Sequence, residues 1–378
     1  MKPQFPAAAS GTTDDERPSP AAPTYAPTTH DARGTTFYAL RFTFHVSRFT
    51  SPWLFTLALL VLLGLAWGAA PIDVHADHPA GSRLYVNDDA PGPTHDGATW
   101  STAFTRLQVA LTHAVSGTEI WVATGVYTPG TTVSDTFTLK SGVAIYGGFA
   151  ATETLREQRD WRANVTVLSG DLEGNDTTNA DGVVTDTDNI SGANSYHVLV
   201  GSGTDATALL DGFTVTAGHA NGSYLHHDRG AGMRNVGGSP TVANVTFSGN
   251  LAAWAGGGMF NEQGSNSILT NVTFSGNSAN LAGGGMSNLG SRTTLTNITF
   301  IGNSAEFGGG MIDDGWSNSI LTNVTFSGNS ARTGGGMYAS GSGLALIDVT
   351  FSGNRAEEGG GLANVRSEMT LTNVTFSG

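Results

Sequence analysis

An acidic stretch from residue 170 to residue 194 holds the side chains best suited to bind a cation. Its carboxylates are Asp171, Glu173, Asp176, Asp181, Asp186 and Asp188. Asn179, Asp181 and Asp188 match the third, fifth and twelfth positions of an EF-hand loop, whose oxygen atoms bind Ca²⁺. Thr177 departs from that pattern at the first position, and the twelfth residue should be glutamate. We therefore predict a calcium site formed by Asn179, Asp181 and Asp188, with a polar surface loop as the alternative.

The carboxylate pairs Asp313–Asp314 and Glu357–Glu358 are the candidates for glycoside hydrolysis. That reaction needs two carboxylates about 5 to 9.5 Å apart, whereas neighbouring residues of a strand point to opposite faces. Lyase chemistry needs a lysine or arginine base beside acidic calcium ligands. Beyond residue 76 the only lysine is Lys140, and the arginines between Arg229 and Arg366 occupy different positions of a repeated unit described below. We therefore predict no catalytic residues.

Two adjacent histidines, His226 and His227, precede Asp228 in an insertion, and His219 lies nearby. A loop that bulges from a regular array of repeats is a common place for function. Adjacent histidines do not easily share one metal ion, however. We interpret this segment as a polar loop and keep a functional role as the alternative.

The elements that must position these groups are written as one unit, repeated six times between Gly230 and Gly378. One copy reads Ile-Leu-Thr-Asn-Val-Thr-Phe-Ser-Gly-Asn-Ser-Ala from Ile268, followed by Gly-Gly-Gly-Met from Gly283. The phenylalanines recur every 25 to 27 residues, at Phe247, Phe274, Phe300, Phe326, Phe351 and Phe376. A fixed period of this size predicts a solenoid, in which each unit packs against its neighbours.

Two positions of the unit are drawn almost entirely from residues that tolerate a left-handed backbone. The first holds Asn244, Asn271, Asn297, Asn323, Asp348 and Asn373, with Gly212 in a related segment upstream. The second follows the repeated methionine and holds Asn235, Asn261, Asn288, Asp313 and Asn364, with Ala339 as the exception. Asn, Asp and Gly adopt positive φ most readily, so we predict a bend at both positions of every coil.

The runs between these bends are short, rich in Val, Thr, Ile and Phe, and alternate in a way that puts Val272 and Phe274 on one face. They predict strands that pair in parallel with the coils above and below, about 4.8 Å apart. We predict an all-β, right-handed parallel β-helix. The unit also fits part of the leucine-rich-repeat consensus, but its glycine-rich half would break the helix that such a repeat needs. A calcium-binding β-roll would need aspartate where the unit has methionine.

The Gly-Gly-Gly-Met and Phe-Ser-Gly-Asn motifs resemble the repeats of the polymorphic outer-membrane protein family over about the last 150 residues. Upstream, the segments that begin at Leu84, Gly142 and Leu210 resemble the front end of large bacterial surface proteins with pectin-lyase-like β-helices. The resemblance implies export and a place at the cell surface. It implies no defined reaction, and methionine replaces the usual aliphatic residue.

The chain before the repeats divides by composition. Residues 1–36 are rich in Pro, Ala and Thr and are predicted to be a disordered leader. Residues 37–76 form a signal peptide region, in which an apolar run from Trp53 to Ala66 precedes a small-x-small site ending at Ala76. We expect cleavage there, with a retained membrane anchor as the alternative. Residues 77–150 are predicted to be the N-terminal cap and first coils, 151–195 an acidic loop insertion, and 196–378 the β-helix repeats.

A helix is predicted from Ser101, its N-cap, to Val115. Its apolar face would contain Ala103, Phe104, Leu107, Ala110, Leu111 and Ala114. Such a helix would cover the open end of the first coil. At the other end, the last unit stops at Gly378 before its glycine run, so the repeats look truncated. We expect the natural product to continue to a cap or a surface anchor.

Charge and cysteine content narrow the partners. The chain has 378 residues, a formal net charge of -14 and no cysteine, which excludes disulfides and thiol chemistry. The first 76 residues carry five basic and five acidic side chains, so the whole net charge lies in the exported part. Because this part is strongly acidic, we expect no nucleic acid partner. Membrane contact is expected only through the leader or a missing C-terminal anchor.

These observations favour a secreted or cell-surface β-helix without catalytic activity, which acts in adhesion, partner binding or structural spacing. The partner would be an unknown surface ligand, a glycan or a protein, and calcium is the one cofactor that the sequence suggests. A polysaccharide-active enzyme or a carbohydrate-binding module of the pectin-lyase-like fold stays open. The aromatic residues that could stack on sugars are Trp254, Phe260, Phe307, Trp316 and Tyr338.

Overall fold

The computed structural model describes residues 82–223 and 227–378. The predicted disordered leader, the predicted signal peptide region and His226 lie outside the described residues. Within the described part, no helix is long and apolar enough to cross a membrane.

Each coil of the repeats contributes short strands that pair in parallel with the equivalent strands of its neighbours. In one coil these strands are Ile268–Thr270, Thr273–Ser275, Ser278–Ala279 and Met286–Leu289. The register keeps equivalent residues together, so that Phe274 pairs with Phe247 on one side and Phe300 on the other. The predicted parallel β-helix is therefore confirmed, and the leucine-rich-repeat alternative is wrong because strands occupy the half-coil where its helix would lie.

The long sheet contains two strips of strands, one on each side of the first predicted bend. The first strip comprises Arg83–Val86, Glu119–Ala123, Ala144–Phe149, Leu209–Asp211, Thr241–Ala243, Ile268–Thr270 and Glu368–Thr372. The second comprises Gly125–Tyr127, Thr166–Ser169, Thr214–Thr216, Thr246–Ser248, Thr273–Ser275 and Thr375–Ser377. Three longer strands run through both strips: Thr294–Ile301, Ile320–Ser327 and Gly343–Ser352.

Two further sheets complete the coils. The methionine sheet, named for its repeated first residue, comprises Phe137–Thr138, Leu199–Val200, Met233–Val236, Met259–Glu262, Met286–Leu289, Met311–Asp314, Met337–Ser340 and Leu362–Val365. The short sheet comprises His219–Ala220, Leu251–Ala252, Ser278–Ala279, Ser304–Phe307 and Ser330–Thr333. It lies between the long sheet and the methionine sheet along the chain.

The N-terminal cap is a helix, but a shorter one than the sequence predicts. The α-helix spans Leu107–His113, and a 3₁₀ turn at Trp100–Thr102 precedes it. Ser101 is therefore not the N-cap; the side chain of Thr99 caps the 3₁₀ turn instead. The predicted apolar face is buried at all six positions: Ala103, Phe104, Leu107, Ala110, Leu111 and Ala114. Two other 3₁₀ turns lie at Arg156–Gln158 and Thr187–Asn189.

The first predicted bend has the expected left-handed backbone. The φ angles are 51° at Asn244, 55° at Asn271, 57° at Asn297, 54° at Asn323, 55° at Asp348 and 54° at Asn373. The side chains form a ladder along this corner: the amide of Asn297 donates to Oδ1 of Asn271 at 3.0 Å, and the amide of Asn323 donates to Oδ1 of Asn297 at 2.7 Å. Local conformation and stacking thus select the same residue type.

The second predicted bend is wrong. Asn235, Asn261, Asn288 and Asp313 lie inside strands of the methionine sheet and point into the buried interior. The backbone turns two residues later, where positive φ occurs at Gly237, Gln263, Gly290, Gly315, Gly341 and Arg366. The asparagine column has a different cause: each amide donates to the next side chain, as Asn261 does to Asn288 at 2.9 Å. A buried amide that finds such a partner avoids a large desolvation cost.

The core is built from columns of identical side chains. Phenylalanine rings stack nearly parallel between coils, with a centroid distance of 4.9 Å between Phe274 and Phe300. The methionine side chains of Met259, Met286 and Met311 are also fully buried. Asparagines of the Phe-Ser-Gly-Asn motif form another interior ladder, in which Asn277 donates to the Phe247 carbonyl at 2.9 Å and to Asn303 at 3.0 Å.

Candidate binding groove

The outward face of the methionine sheet carries a concave, largely apolar surface. Since side chains alternate along a strand, the residue after each methionine points outward. Successive coils place Arg234, Phe260, Ser287, Ile312 and Tyr338 at this position. Phe260 and Ile312 belong to a hydrophobic cluster separate from the interior. A second apolar surface therefore lies outside the coil.

A surface cavity of about 230 Å³ opens over Ser287, between the larger side chains of Phe260 and Ile312. Ser287 pairs in register with both. The cavity walls also include Trp254, Leu281, Leu289, Phe307 and Tyr338. Because coils stack about 4.8 Å apart, one small residue in a column of large ones leaves a gap of about one side chain.

Four aromatic residues that the sequence analysis singled out meet at this cavity. Trp254 packs edge-on against Phe260 with a centroid distance of 6.1 Å, and Phe307 packs edge-on against Tyr338 at 5.4 Å. Phe260 is fully buried, whereas the other three are half-buried. The ring edges and faces give the cavity rigid apolar walls.

Arginines cover the outer side of two of these rings. The guanidinium of Arg229 lies 3.9 Å from the ring centroid of Trp254, and that of Arg332 lies 4.9 Å from the centroid of Phe307. Arg332 also pairs with Glu306 at 3.1 Å. These cation–π contacts stabilise the positions of the two rings.

A larger cavity of about 670 Å³ adjoins the first and shares Asp314 and Ser340 with it. Its lining includes Trp316, the fifth aromatic residue of the prediction, which is 84% exposed. Trp316 has φ of 69°, a left-handed conformation that a bulky residue adopts at a cost. Together the two cavities form one groove, which we call the Ser287 groove.

Two carboxylates, Asp314 and Glu368, and one guanidinium, that of Arg366, line the Ser287 groove. Oδ1 of Asp314 accepts a hydrogen bond from the Gly315 amide at 2.8 Å, and neither Asp314 nor Glu368 has an ion-pair partner among the described residues. By contrast, Glu262 on the same sheet pairs with Arg234 at 3.1 Å. Asp314 therefore keeps a carboxylate oxygen for a ligand at the junction of the two cavities.

The neighbouring carboxylate, Asp313, lies on the opposite face. It is fully buried, and its Oδ1 accepts hydrogen bonds from Asn288 at 2.7 Å and Ser319 at 3.0 Å. No partner reaches Oδ2 within the described residues. Burial raises the pKa of Asp313 to about 7, against the lowering effect of these hydrogen bonds. Asp313 and Asp314 therefore lie on opposite faces of the strand, and this separation argues against their acting together as an acid–base pair.

Two described histidines of this region, His197 and His227, pack against backbone and neighbouring side chains. Nδ1 of His197 lies 3.1 Å from the carbonyl oxygen of Gly230, to which it must donate. Burial lowers the pKa of His197 to about 4, and its Nε2 has no partner among the described residues. The ring of His227 stacks on Tyr196 at 4.7 Å. His219 lies on the adjoining short sheet. The loop interpretation of His227 fits this packing.

The predicted calcium residues lie in a surface loop. Oδ1 of Asn179 accepts hydrogen bonds from the amides of Asp181 and Val183, each at 3.0 Å, so it stabilises its own turn. Asp188 lies in the 3₁₀ turn capped by Asp186. Among the described residues, no group of three or more acidic or histidine side chains is arranged to hold a metal ion. Calcium binding by Asn179, Asp181 and Asp188 stays a prediction.

The aromatic walls of the groove were predicted from the sequence, and Asp314 was a candidate only as half of a carboxylate pair, whereas Ser287 was missed. The signal was present: Ser287 is the one serine in a column that otherwise reads Arg, Phe, Ile, Tyr and Ala. Recognising it requires knowing that this column faces outward, which the misplaced second bend obscured.

Comparison with known proteins supports the architecture. A family profile described as a right handed beta helix region matches residues 197–377. Searches of curated proteins and of solved structures find no match. The fold is therefore a right-handed parallel β-helix.

Proposed function

We propose that this right-handed β-helix is a non-catalytic binding protein of the bacterial cell surface, and that the Ser287 groove is its ligand site. The observation that carries the proposal is the groove itself: rigid aromatic walls surround a gap on an otherwise regular array of coils. Ligand sites are typically concave and mostly apolar, with a few placed polar groups. The groove has that character.

Only one of the two adjacent carboxylates, that of Asp314, faces the groove, and this supports binding rather than catalysis. Asp314 faces the groove, while Asp313 is enclosed in the interior. Arg234 is engaged with Glu262 and Arg332 with Phe307, whereas Arg366 lines the larger cavity. A general base must reach the proton that it removes, and among the described residues that line the smaller cavity Asp314 is the one carboxylate, with Tyr338 as the other titratable side chain.

Export and the cell surface rest on the sequence. The apolar run before Ala76 has the pattern of a signal peptide, and the Gly-Gly-Gly-Met repeats resemble those of polymorphic outer-membrane proteins. We propose that the chain acts in adhesion or partner binding in that setting.

A glycan ligand is the second candidate, and the exposed indole of Trp316 favours it. An aromatic ring in water can stack on the apolar face of a sugar, and the larger cavity carries polar side chains, including Asn318 and Glu368, beside it. This alternative includes a carbohydrate-binding module and a polysaccharide-active enzyme of the same fold.

Beads coated with the purified chain test the proposed function. They would be incubated with immobilised bacterial and animal surface proteins and with pectin, alginate and plant-wall glycans, with and without calcium. We expect retention on some surfaces without release of cleaved products. Protease treatment of the surface removes a protein partner, and periodate oxidation removes a glycan partner. Product release from any polysaccharide would replace the binding proposal by an enzymatic one.

A further inference from the structure

The Ser287 groove contains a site for one large apolar group. Ser287 lies in register between Phe260 and Ile312, and all three side chains point outward from adjacent coils. A column of large residues would fill this face continuously, as the phenylalanines do inside the coil. The serine instead leaves about 230 Å³ between rigid walls. Pockets of this kind accept the anchor side chains that dominate protein interfaces.

The chemistry of the walls favours an apolar side chain over a sugar ring. Trp254, Leu281, Leu289 and Phe307 present ring carbons and methyl groups to the cavity. A pyranose carries hydroxyl groups around its rim, and burying them without hydrogen-bond partners is costly. Besides Tyr338, seven of the twelve residues that line the smaller cavity are hydrophobic, so a sugar ring buried there would place much of its polar rim against carbon.

The charge at the junction of the two cavities selects a cation beside that apolar group. Asp314 lines both cavities, and it has no ion-pair partner among the described residues. Glu368 adds a second carboxylate to the larger cavity, where Arg366 is also found. The chain as a whole carries a net charge of -14. A ligand cation is therefore expected at Asp314, with which no arginine of the described residues, Arg366 included, forms an ion pair.

Trp316 adds a third element to the same groove. It stands five residues after Met311, where the coil that starts at Met259 has Gly264 with φ of 77°. Glycine adopts this conformation without strain, whereas tryptophan does not. An exposed tryptophan held at a glycine position contributes nothing to the core. Its exposed ring can contact a cation or an extended backbone that leaves the smaller cavity.

We propose that the Ser287 groove binds an extended segment of a partner protein through two neighbouring side chains. A bulky apolar side chain fills the gap over Ser287, and an adjacent lysine or arginine pairs with Asp314 next to Trp316. This inference rests on the proposed function, and it commits the ligand to a protein.

Selection of random peptides displayed on phage against the immobilised full chain tests this inference. We expect the enriched peptides to share a Leu, Ile, Met or Phe with a Lys or Arg within two positions. Their affinity should fall at least tenfold for Ser287→Phe, which fills the gap, and at least threefold for Asp314→Asn. Ser327→Phe, a matched change on the outward face of the long sheet, should leave affinity unchanged.

The melting temperature guards against misfolding as the cause. Ser287→Phe should melt at or above the temperature of the parent chain, because the added ring covers apolar surface. Failure to enrich any peptide, or peptides that bind Ser287→Phe as tightly as the parent, would overturn the inference. Binding of a glycan that Ser287→Phe abolishes would also overturn it, while the proposed binding function of the groove would stand.

Discussion

The side-chain amide of Asn288 donates a 2.7 Å hydrogen bond to Oδ1 of Asp313 in the fully buried interior of the coil. This contact places the only carboxylate of that column on top of a ladder of asparagines, below Ala339 in the next coil. Asparagine would make the same contact without a titratable group. The stability of the fold should therefore depend on pH through Asp313.

Asp313 should make the protein less stable as pH rises. Below the unfolded-state pKa of about 3.9, both states hold the proton. Between about pH 4 and pH 7 the unfolded chain releases it, while the folded carboxyl, with its pKa raised to about 7, keeps it. The free energy of unfolding therefore falls across this window. Replacement by Asn should remove that loss, on the order of 2 to 4 kcal/mol at pH 8.

Chemical denaturation of Asp313→Asn at pH 4 and pH 8 measures this effect. The reciprocal variant Asn261→Asp, at an equivalent position of another coil, should introduce the same pH dependence. Equal changes in unfolding free energy with pH for the parent and Asp313→Asn would contradict the assignment.

His197 should act in the opposite direction. Burial lowers its pKa to about 4. Between about pH 6.5 and pH 4, His197 is therefore protonated in the unfolded chain but stays neutral in the folded chain. Stability contributed by the neutral ring is present above pH 6.5 and is lost as the pH falls. His197→Asn keeps a donor for the Gly230 carbonyl and should flatten the acid side of a plot of melting temperature against pH. An unchanged acid slope would mean that His197 is protonated in the folded chain.

At the corner formed by the exposed asparagines, the stability of a variant should depend on how well the new residue tolerates positive φ. Asn297 has φ of 57°, which a β-branched residue tolerates poorly. Asn297→Val should lower the free energy of unfolding by about 1 to 2 kcal/mol, whereas Asn297→Gly should cost less because glycine adopts this φ freely. Denaturant titration compares the two. A valine variant as stable as the glycine variant would show that the ladder, rather than the left-handed backbone, determines the residue.

Calcium binding by the loop of Asn179, Asp181 and Asp188 can be tested by stability. If the loop binds the ion, millimolar calcium should raise the melting temperature, since a ligand that binds only the folded state stabilises it. Asp181→Ala should abolish the rise, and Asp135→Ala, in a separate loop, should not. A melting curve that calcium leaves unchanged would remove the metal prediction.

The sequence predicts the coil well because the period, the phenylalanine column and the first bend each depend on one local requirement. At Asn271, positive φ and side-chain stacking demand the same residue. The second column could not be assigned this way, because a buried amide ladder selects Asn and Asp as strongly as a bend does. The glycines two positions later, such as Gly290, carry the bend signal.

The groove was harder to predict than the coil. Its walls come from different positions of successive units, so that Trp254 and Phe307 meet Tyr338 only after the coils stack. Ser287 leaves a gap because the residues paired with it in the adjacent coils, Phe260 and Ile312, are much larger. The sequence of a single unit does not reveal the gap, because side chains from three stacked coils form it.

Methyl NMR would detect directly whether the Ser287 groove binds an apolar side chain next to a cation. With methyl-labelled Leu and Ile, we would add N-acetyl-leucyl-lysine amide at millimolar concentration, and methyl glucoside in a parallel sample. We expect the peptide, but not the sugar, to shift the methyl signals of Leu281, Leu289 and Ile312. The interior Leu295 and Leu321 should not shift, and Ser287→Phe should show no response. Peptide-induced shifts that persist in Ser287→Phe, or no shifts at Leu281, Leu289 and Ile312, would contradict binding at the Ser287 groove.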